Sequence, residues 1–303
     1  MRSLLQRIGA GVGFSLLALF IIGAGGTLWG ALVFANLRTT PSVPWALPVL
    51  CAALWLAWQY LGGRGWPRST SARRKTLRRA NRVSASAFGW SLAAGLLAIV
   101  ALAGFWITMF RLVPMTPNLV LPQRFTSSRL LIAAIVAGAS LLAPVTEEIG
   151  VRGYLQSVLE RNFTPVTAVL MSSSVFALAH LTQGNAWPKL LFYFLVGVTF
   201  GTLALLNDSI LPVLPVHAAG DVTFFLLIWP HDAGRSLVWT HGTDAWFWIH
   251  VAQTIGFAAA AVWAFRRIPR AGHSPVHADQ IDAGSVSGRR GQRAVARQQD
   301  RVQ

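Results

Sequence analysis

The sequence predicts an all-α, polytopic membrane protein of about eight transmembrane helices with a polar site inside the membrane. Two compositional observations support this: 54% of the 303 residues are hydrophobic and only 12% are charged. A soluble domain needs roughly twice that charged fraction to cover its surface. The third observation is that the apolar residues form long runs of about the 20 residues that a bilayer core requires, rather than amphipathic stripes.

Eight apolar runs give the expected order of spans. The first follows Arg2 and Arg7, but it is too long for the apolar part of a signal peptide, so we interpret it as a retained anchor. The predicted spans are residues 9–36, 43–62, 86–110, 129–158, 165–183, 189–206, 209–229 and 245–265. Indole rings favour the headgroup layer, and four tryptophans fall near predicted span ends. They are Trp66, Trp187, Trp229 and Trp246.

The positive charge predicts the topology. The formal net charge is +16, and the cations cluster between the apolar runs and in the C-terminal stretch, which favours anionic lipid headgroups over nucleic acid as the partner. By the positive-inside rule, residues 63–83, the C-terminal stretch and the N-terminus face the cytoplasm of a cell-membrane protein. The single cysteine, Cys51, excludes an intramolecular disulfide and any multi-cysteine metal site.

Ionisable groups inside membrane spans are costly and are therefore candidates for function. Four sets stand out within the predicted spans. They are Glu147 with Glu148 and Arg152; His180; His217 with Asp221; and His250.

The paired glutamates predict two different environments. Glu148 and Arg152 are spaced i, i+4 with the acid on the N-terminal side, the better orientation for an ion pair. Glu147 lies about 100° further round the helix, so it is left to face another group. A carboxylate in a partly wet cavity of low dielectric is suited to work as a general base. The alternative is an ion-paired packing motif that only holds two helices in register.

The histidines are interpreted in two ways. Phe176 and His180 share a helix face at i, i+4, and His217 and Asp221 do the same, so each histidine can face a cavity with its partner. His250 stands alone in the last span, and we interpret it as a hydrogen-bonding group between helices.

Three motifs occur in order along the fourth, fifth and seventh predicted spans. EEIGVR starts at Glu147, FALAH ends at His180, and HAAGD runs from His217 to Asp221. Their order and spacing resemble the CPBP family of intramembrane proteases, which includes the CAAX prenyl endopeptidases and the bacteriocin-processing and immunity proteins. The resemblance covers residues 129–228.

The resemblance also divides the chain. We expect residues 1–128 to form N-terminal transmembrane helices with a basic cytoplasmic loop at 63–83, and residues 129–228 to form a CPBP-like catalytic core. Residues 229–270 hold the last transmembrane helix. Residues 271–303, rich in Gly, Ser, Gln and Arg, are predicted to be a disordered basic tail.

The resemblance implies a role for each motif residue. Glu147 would activate a water that His180 helps to hold. His217 and Asp221 would lie across the cavity, where the family stabilises the oxyanion of the tetrahedral intermediate. Fixed donors at that point are needed because peptide hydrolysis inside a membrane is otherwise slow.

The implied activity is an intramembrane endopeptidase that cleaves a membrane-associated peptide or protein. Arg152 would organise the site through Glu148. The alternatives are a non-catalytic membrane scaffold or bacteriocin-immunity factor on the same fold, and a proton-coupled transporter, since membrane carboxylates and histidines also form proton relays.

Asp221 departs from the family pattern, in which many relatives have asparagine. An amide donates a hydrogen bond to an oxyanion, whereas an ionised carboxylate repels one. Asp221 must then be protonated, orient His217 or bind a metal. Glu147, His180, His217 and Asp221 are possible zinc ligands. We expect no obligate metal, because the motifs lack the close His-x-x-x-His spacing of zinc proteases.

Depth along the predicted helices is only partly consistent with one site. At 1.5 Å per residue from the cytoplasmic span ends, Glu147 lies about 20 Å deep and His180 about 24 Å deep. His217 comes out at only about 12 Å.

Overall fold

A computed structural model describes residues 4–39, 43–118, 129–181 and 186–269. Within these ranges, the regular secondary structure is entirely helical, which confirms the all-α prediction. The tail predicted to be disordered, residues 271–303, lies outside the described residues, so that prediction stays untested.

Eight apolar helical segments follow the predicted spans. They are α1 (Leu4–Thr39), α2 (Ala46–Leu61), α4 (Ala85–Leu112), α5 (Arg129–Glu148) with its continuation to residue 160, α7 (Pro165–Ala179), α8 (Trp187–Asn207), α9 (Val213–Thr223) with its continuation to residue 234, and α11 (Ala245–Phe265). Among the described residues, six of these segments are long and apolar enough to cross a membrane, and α2 and α7 are shorter apolar helices. The protein is therefore a polytopic membrane protein. Two short helices, α3 (Ser71–Arg78) and α10 (Val238–His241), lie between segments.

Ion pairs at the two ends of the bundle show how the segments alternate. Arg79, which follows the second segment, contacts Glu160 at the end of the fourth (Nη2–Oε2 2.8 Å) and Asp208 after the sixth (Nε–Oδ1 3.1 Å). At the other end, Arg111 in the last turn of α4 contacts Asp244, which precedes α11 (Nη1–Oδ1 2.6 Å). The second, fourth and sixth segments therefore end on the same side, as in a chain that alternates in direction.

Two of the eight segments change helical geometry part of the way along. After Glu148, α5 continues as a π-helix, Ile149–Gln156, and then as α6 (Ser157–Glu160). After Thr223, α9 continues as a π-helix, Phe224–Ile228, and a 3₁₀ helix, Trp229–Gly234. Wide π turns are rare and occur often at functional sites. These two segments carry the first and third motifs.

The basic segment 63–83 is not wholly a loop facing headgroups, which corrects the prediction. It contains a 3₁₀ turn at Arg68–Thr70 and helix α3, and the side chains of Arg74 and Arg79 are 6% and 4% exposed. Arg74 donates from Nε to the carbonyl oxygen of Tyr60 at 2.9 Å, at the end of α2. Counting charges assigns a basic residue to one side of the membrane. It does not reveal which basic side chains form hydrogen bonds or ion pairs with the protein's own carbonyls and carboxylates.

The prediction for one tryptophan is also wrong. Trp66, Trp187 and Trp246 are exposed, but Trp229 is buried and packs against Trp106 (ring centroids 5.9 Å apart). The 3₁₀ helix carries the seventh segment on to Gly234, so Trp229 does not lie at its end.

Candidate active site

The first motif places its two glutamates in different surroundings. Glu147 and Glu148 are the last residues of α5. Arg152 donates from Nη1 to Glu148 Oε1 at 3.0 Å, and both side chains are 0% exposed. The side chain of Glu147 is 18% exposed. The predicted i, i+4 pair therefore forms, although the helix widens immediately after Glu148, and Glu147 is left outside it.

Glu148 also reaches the third motif, which the spacing alone did not indicate. His217 Nδ1 lies 2.7 Å from Glu148 Oε1, the same oxygen that accepts from Arg152. A carboxylate in an ion pair accepts hydrogen bonds, so Nδ1 carries the proton. His217 Nε2 then faces Glu147 Oε2 at 3.7 Å and Asp221 Oδ1 at 3.5 Å. Glu148 thus fixes the orientation of His217 and turns Nε2 towards the other two carboxyl groups.

The second motif fixes the tautomer of its histidine. Helix α7 ends at Ala179, and His180 is its C-terminal cap. His180 Nδ1 lies 2.8 Å from the carbonyl oxygen of Phe176, and a carbonyl only accepts, so Nδ1 donates. In the neutral ring, Nε2 is then left as an acceptor. This is the arrangement required to accept a hydrogen bond from a water molecule.

One cavity of about 410 Å³ brings the four candidate reacting side chains together. Glu147, His180, His217 and Asp221 all line it, although they come from three different segments. Its remaining wall is largely aromatic and aliphatic, so a few polar groups converge in an apolar pocket, as is usual for binding sites. Glu148 and Arg152 lie behind this wall.

His250 takes no part in the cavity. His250 Nδ1 donates to Gln253 Oε1 at 2.9 Å, and Gln253 Nε2 donates to the carbonyl oxygen of Val100 at 2.8 Å. Gln253 therefore makes the bond between α11 and α4, and His250, predicted to bond between helices, contributes to that contact only through Gln253.

Helix α8 supplies a support for Arg152 that the motif analysis missed. Arg152 Nη2 donates to the carbonyl oxygen of Gly197 at 3.2 Å, and one turn further Gln156 Nε2 donates to that of Gly201 at 2.9 Å. The guanidinium of Arg152 also lies over the ring of Phe176 at 4.5 Å. Gly197 and Gly201 form a Gly-x-x-x-Gly motif, a sequence signal of close helix packing in membranes.

Replacement of Gly197 by alanine is expected to destabilise this contact. A Cβ at position 197 would lie 2.9 Å from both Cα and Cβ of Ser173, and inserting a methyl group into a packed core costs about 1–3 kcal/mol. The midpoint of thermal unfolding in detergent should fall. Gly256→Ala is the matched control, because nothing lies within 4 Å of its added Cβ. Equal midpoints for both variants would contradict the close packing.

The possible zinc ligands do not form a metal site as arranged. Among the described residues, no group of three or more His, Cys, Asp or Glu side chains is placed to hold one metal ion. The Nδ1 atoms of His180 and His217 contact Phe176 and Glu148, so only one nitrogen of each ring faces the cavity. A metal ligand needs only one nitrogen of each ring, so these histidine orientations do not decide the question, and metal dependence is a matter for experiment.

Comparison with known proteins gives one match. Residues 129–223 match the family described as "Type II CAAX prenyl endopeptidase Rce1-like". The match contains all three motifs and confirms the resemblance over this part of the chain. No curated protein and no solved structure matches the chain.

Proposed function

We propose that the protein is an intramembrane endopeptidase with Glu147 as its general base. The match of residues 129–223 to the family of type II CAAX prenyl endopeptidases supports this. The observation that supports this most directly is the cavity that Glu147, His180, His217 and Asp221 share. The proposed substrate is a peptide bond in a membrane-associated peptide or protein.

The proposed reaction begins with a water molecule between Glu147 and His180. The water donates one hydrogen bond to the carboxylate of Glu147 and the other to His180 Nε2, whose lone pair is free because Nδ1 donates to Phe176. Glu147 takes the first proton while the water oxygen bonds to the carbonyl carbon of the peptide. The electron pair of the C=O bond moves to the oxygen, which becomes an oxyanion.

The oxyanion would lie on the His217 side of the cavity. In its doubly protonated form, His217 donates from Nδ1 to Glu148 and from Nε2 into the cavity. A fixed donor aimed at a developing charge needs no reorganisation at the moment of reaction. Collapse of the intermediate then breaks the C–N bond, and Glu147 returns its proton to the leaving nitrogen. Glu148 and Arg152 act as positioning residues, because they hold His217.

Asp221→Asn is expected to retain cleavage and to raise kcat up to about 10-fold. Asp221 Oδ1 is 3.5 Å from His217 Nε2 and borders the cavity, where an ionised carboxylate opposes an oxyanion and an amide donates to it. Asp221→Ala supplies no donor and should lower kcat, by analogy with lost oxyanion donors that cost about 100-fold or more. The measurement is kcat of the purified variants on one peptide. An Asn variant as inactive as the Ala variant would mean that the carboxylate itself is required.

Cleavage of a membrane-peptide library by the purified protein, with and without a zinc chelator, tests the proposed function. We expect cleavage that is indifferent to chelation, because the motifs lack the close His-x-x-x-His spacing of zinc proteases. Loss on chelation with recovery on added zinc would instead make the enzyme a metalloprotease.

A non-catalytic scaffold or bacteriocin-immunity factor is the second candidate, and the carboxylate of Asp221 at the cavity is the observation that favours it. It predicts that a partner interaction or phenotype survives alanine at Glu147, His180 and His217 together. It also predicts that the wild-type protein cleaves nothing in the library. Loss of the phenotype in the triple variant would exclude it.

We also propose a multi-pass protein of the cell membrane with both termini in the cytoplasm. Eight alternating segments would put both termini on the side of the membrane that carries the basic segment 63–83. Reporter fusions at each terminus should give cytoplasmic signals. A periplasmic or extracellular signal at either terminus would reverse the assignment.

A further inference from the structure

Tyr193 on α8 lies against the second motif. Its ring stacks on that of His180, with centroids 4.1 Å apart and planes 21° from parallel. Tyr193 is 4% exposed and lines the same cavity as the four candidate reacting side chains. No motif contains this residue, and its flanks are uniformly apolar.

The contacts of the His180 ring decide how it is oriented. His180 is the C-terminal cap of α7, which ends at Ala179. The hydrogen bond from Nδ1 to the Phe176 carbonyl fixes one ring atom but leaves the ring free to tilt about that point. The Phe176 ring meets His180 at 51°, whereas Tyr193 covers its face nearly parallel. The Tyr193 ring therefore limits the tilt that would move Nε2 away from a water molecule.

The hydroxyl group of Tyr193 is fixed by a hydrogen bond. Asn118 Nδ2 donates to the Tyr193 hydroxyl at 3.0 Å, and Lys189 Nζ donates to Asn118 Oδ1. Lys189 is 0% exposed and lies one helical turn before Tyr193 on α8. Buried polar chains of this kind stiffen a site when their members are satisfied. The aromatic face towards His180 is thus presented by an anchored side chain.

We propose that Tyr193 is a positioning residue that sets the orientation of the His180 ring, an inference that rests on the proposed protease function. A misplacement of about 1 Å at a reacting group can cost up to about 100-fold in rate. Tyr193→Leu should therefore lower kcat by up to about 100-fold and leave KM within about twofold. Tyr193→Phe keeps the stacked ring and should retain most of the activity.

A double-mutant cycle separates positioning from general packing. If Tyr193 acts through His180, then Tyr193→Leu costs nothing further in kcat on a His180→Ala background. Phe194→Leu is the matched control, since the adjacent aromatic is partly buried and does not line the cavity. An equal loss in both backgrounds, or an equal loss in the control, would overturn the proposal.

An NMR measurement tests the stacking of Tyr193 on His180 independently of cleavage activity. In protein with isotope-labelled histidine, the carbon-bound ring protons of His180 should show an upfield ring-current shift, assigned by its absence in His180→Ala. The shift should persist in Tyr193→Phe and in Phe194→Leu, and it should decrease markedly in Tyr193→Leu, where only the tilted Phe176 ring remains against His180. Its absence in the wild type would overturn the positioning role even where cleavage occurs. A wild type that shows the shift but cleaves nothing would overturn the proposed function and, with it, this role.

Discussion

Glu147→Gln is expected to lower kcat for peptide cleavage by at least about 100-fold, the usual contribution of a positioned general base. Glutamine preserves the size and the polarity of the side chain but cannot take a proton from water. Because Glu147 is partly exposed to the cavity and outside the Glu148–Arg152 pair, the variant should insert and fold like the wild type. The measurement is kcat on one cleaved peptide, with thermal unfolding as the folding check.

Asp244→Asn is the matched carboxylate-to-amide control. Asp244 lies at the opposite end of the bundle from Arg79 and caps α11 by accepting from the backbone N–H of Phe247, a role that asparagine also fills. The control should cleave at the wild-type rate. Cleavage by Glu147→Gln that matches the control would remove Glu147 from the chemistry.

Arg152→Met is expected to give the largest loss of stability, about 3–5 kcal/mol in the free energy of unfolding. The change leaves the carboxylate of Glu148, which is 0% exposed, without its ion partner. It also removes the donor to the Gly197 carbonyl, so the contact between α8 and the π-helix weakens. Equilibrium unfolding in mixed detergent micelles would measure the loss.

The double variant Glu148→Gln with Arg152→Met distinguishes charge from packing. Without a buried unpaired charge, most of the lost stability should return, since removing both members of a buried pair is far less costly than removing one. The glutamine oxygen can still accept from His217 Nδ1. A double variant no more stable than Arg152→Met would show that the lost packing of Arg152, rather than the stranded charge, dominates.

Local spacing in the sequence was sufficient to predict the pairs inside each motif. Glu148 with Arg152, Phe176 with His180, and His217 with Asp221 all lie four residues apart, and each pair is in contact. The spans were predictable for a similar reason, because the length of an apolar run directly reflects the thickness of the bilayer core.

Contacts between segments were much harder to predict. Counting from residue 209 placed His217 too shallow because the count assumed a helix from that residue onward. Residues 209–212 form turns and α9 begins only at Val213, which brings His217 beside Glu147. The bond from His217 to Glu148 joins residues 69 positions apart, which no spacing rule reaches.

The sequence analysis also did not identify the buried residues outside the three motifs that support the fold and the site. Arg79 looks like its neighbouring cations in sequence, yet it pairs with Glu160 and Asp208. Tyr193 sits in a uniformly apolar run, so composition cannot show that its ring covers a histidine. Only Gly197 and Gly201 carried a readable signal for α8, and that signal concerns packing rather than chemistry.

The most direct test of a Glu147-activated water is cleavage in ¹⁸O-labelled water by the purified protein in liposomes, followed by mass spectrometry of both fragments. We predict that the wild-type protein yields an N-terminal fragment with one ¹⁸O in its new carboxyl group, and that Glu147→Gln yields no fragments over the same time. Labelled fragments produced by Glu147→Gln at the wild-type rate would contradict the account, because water would then be activated without Glu147.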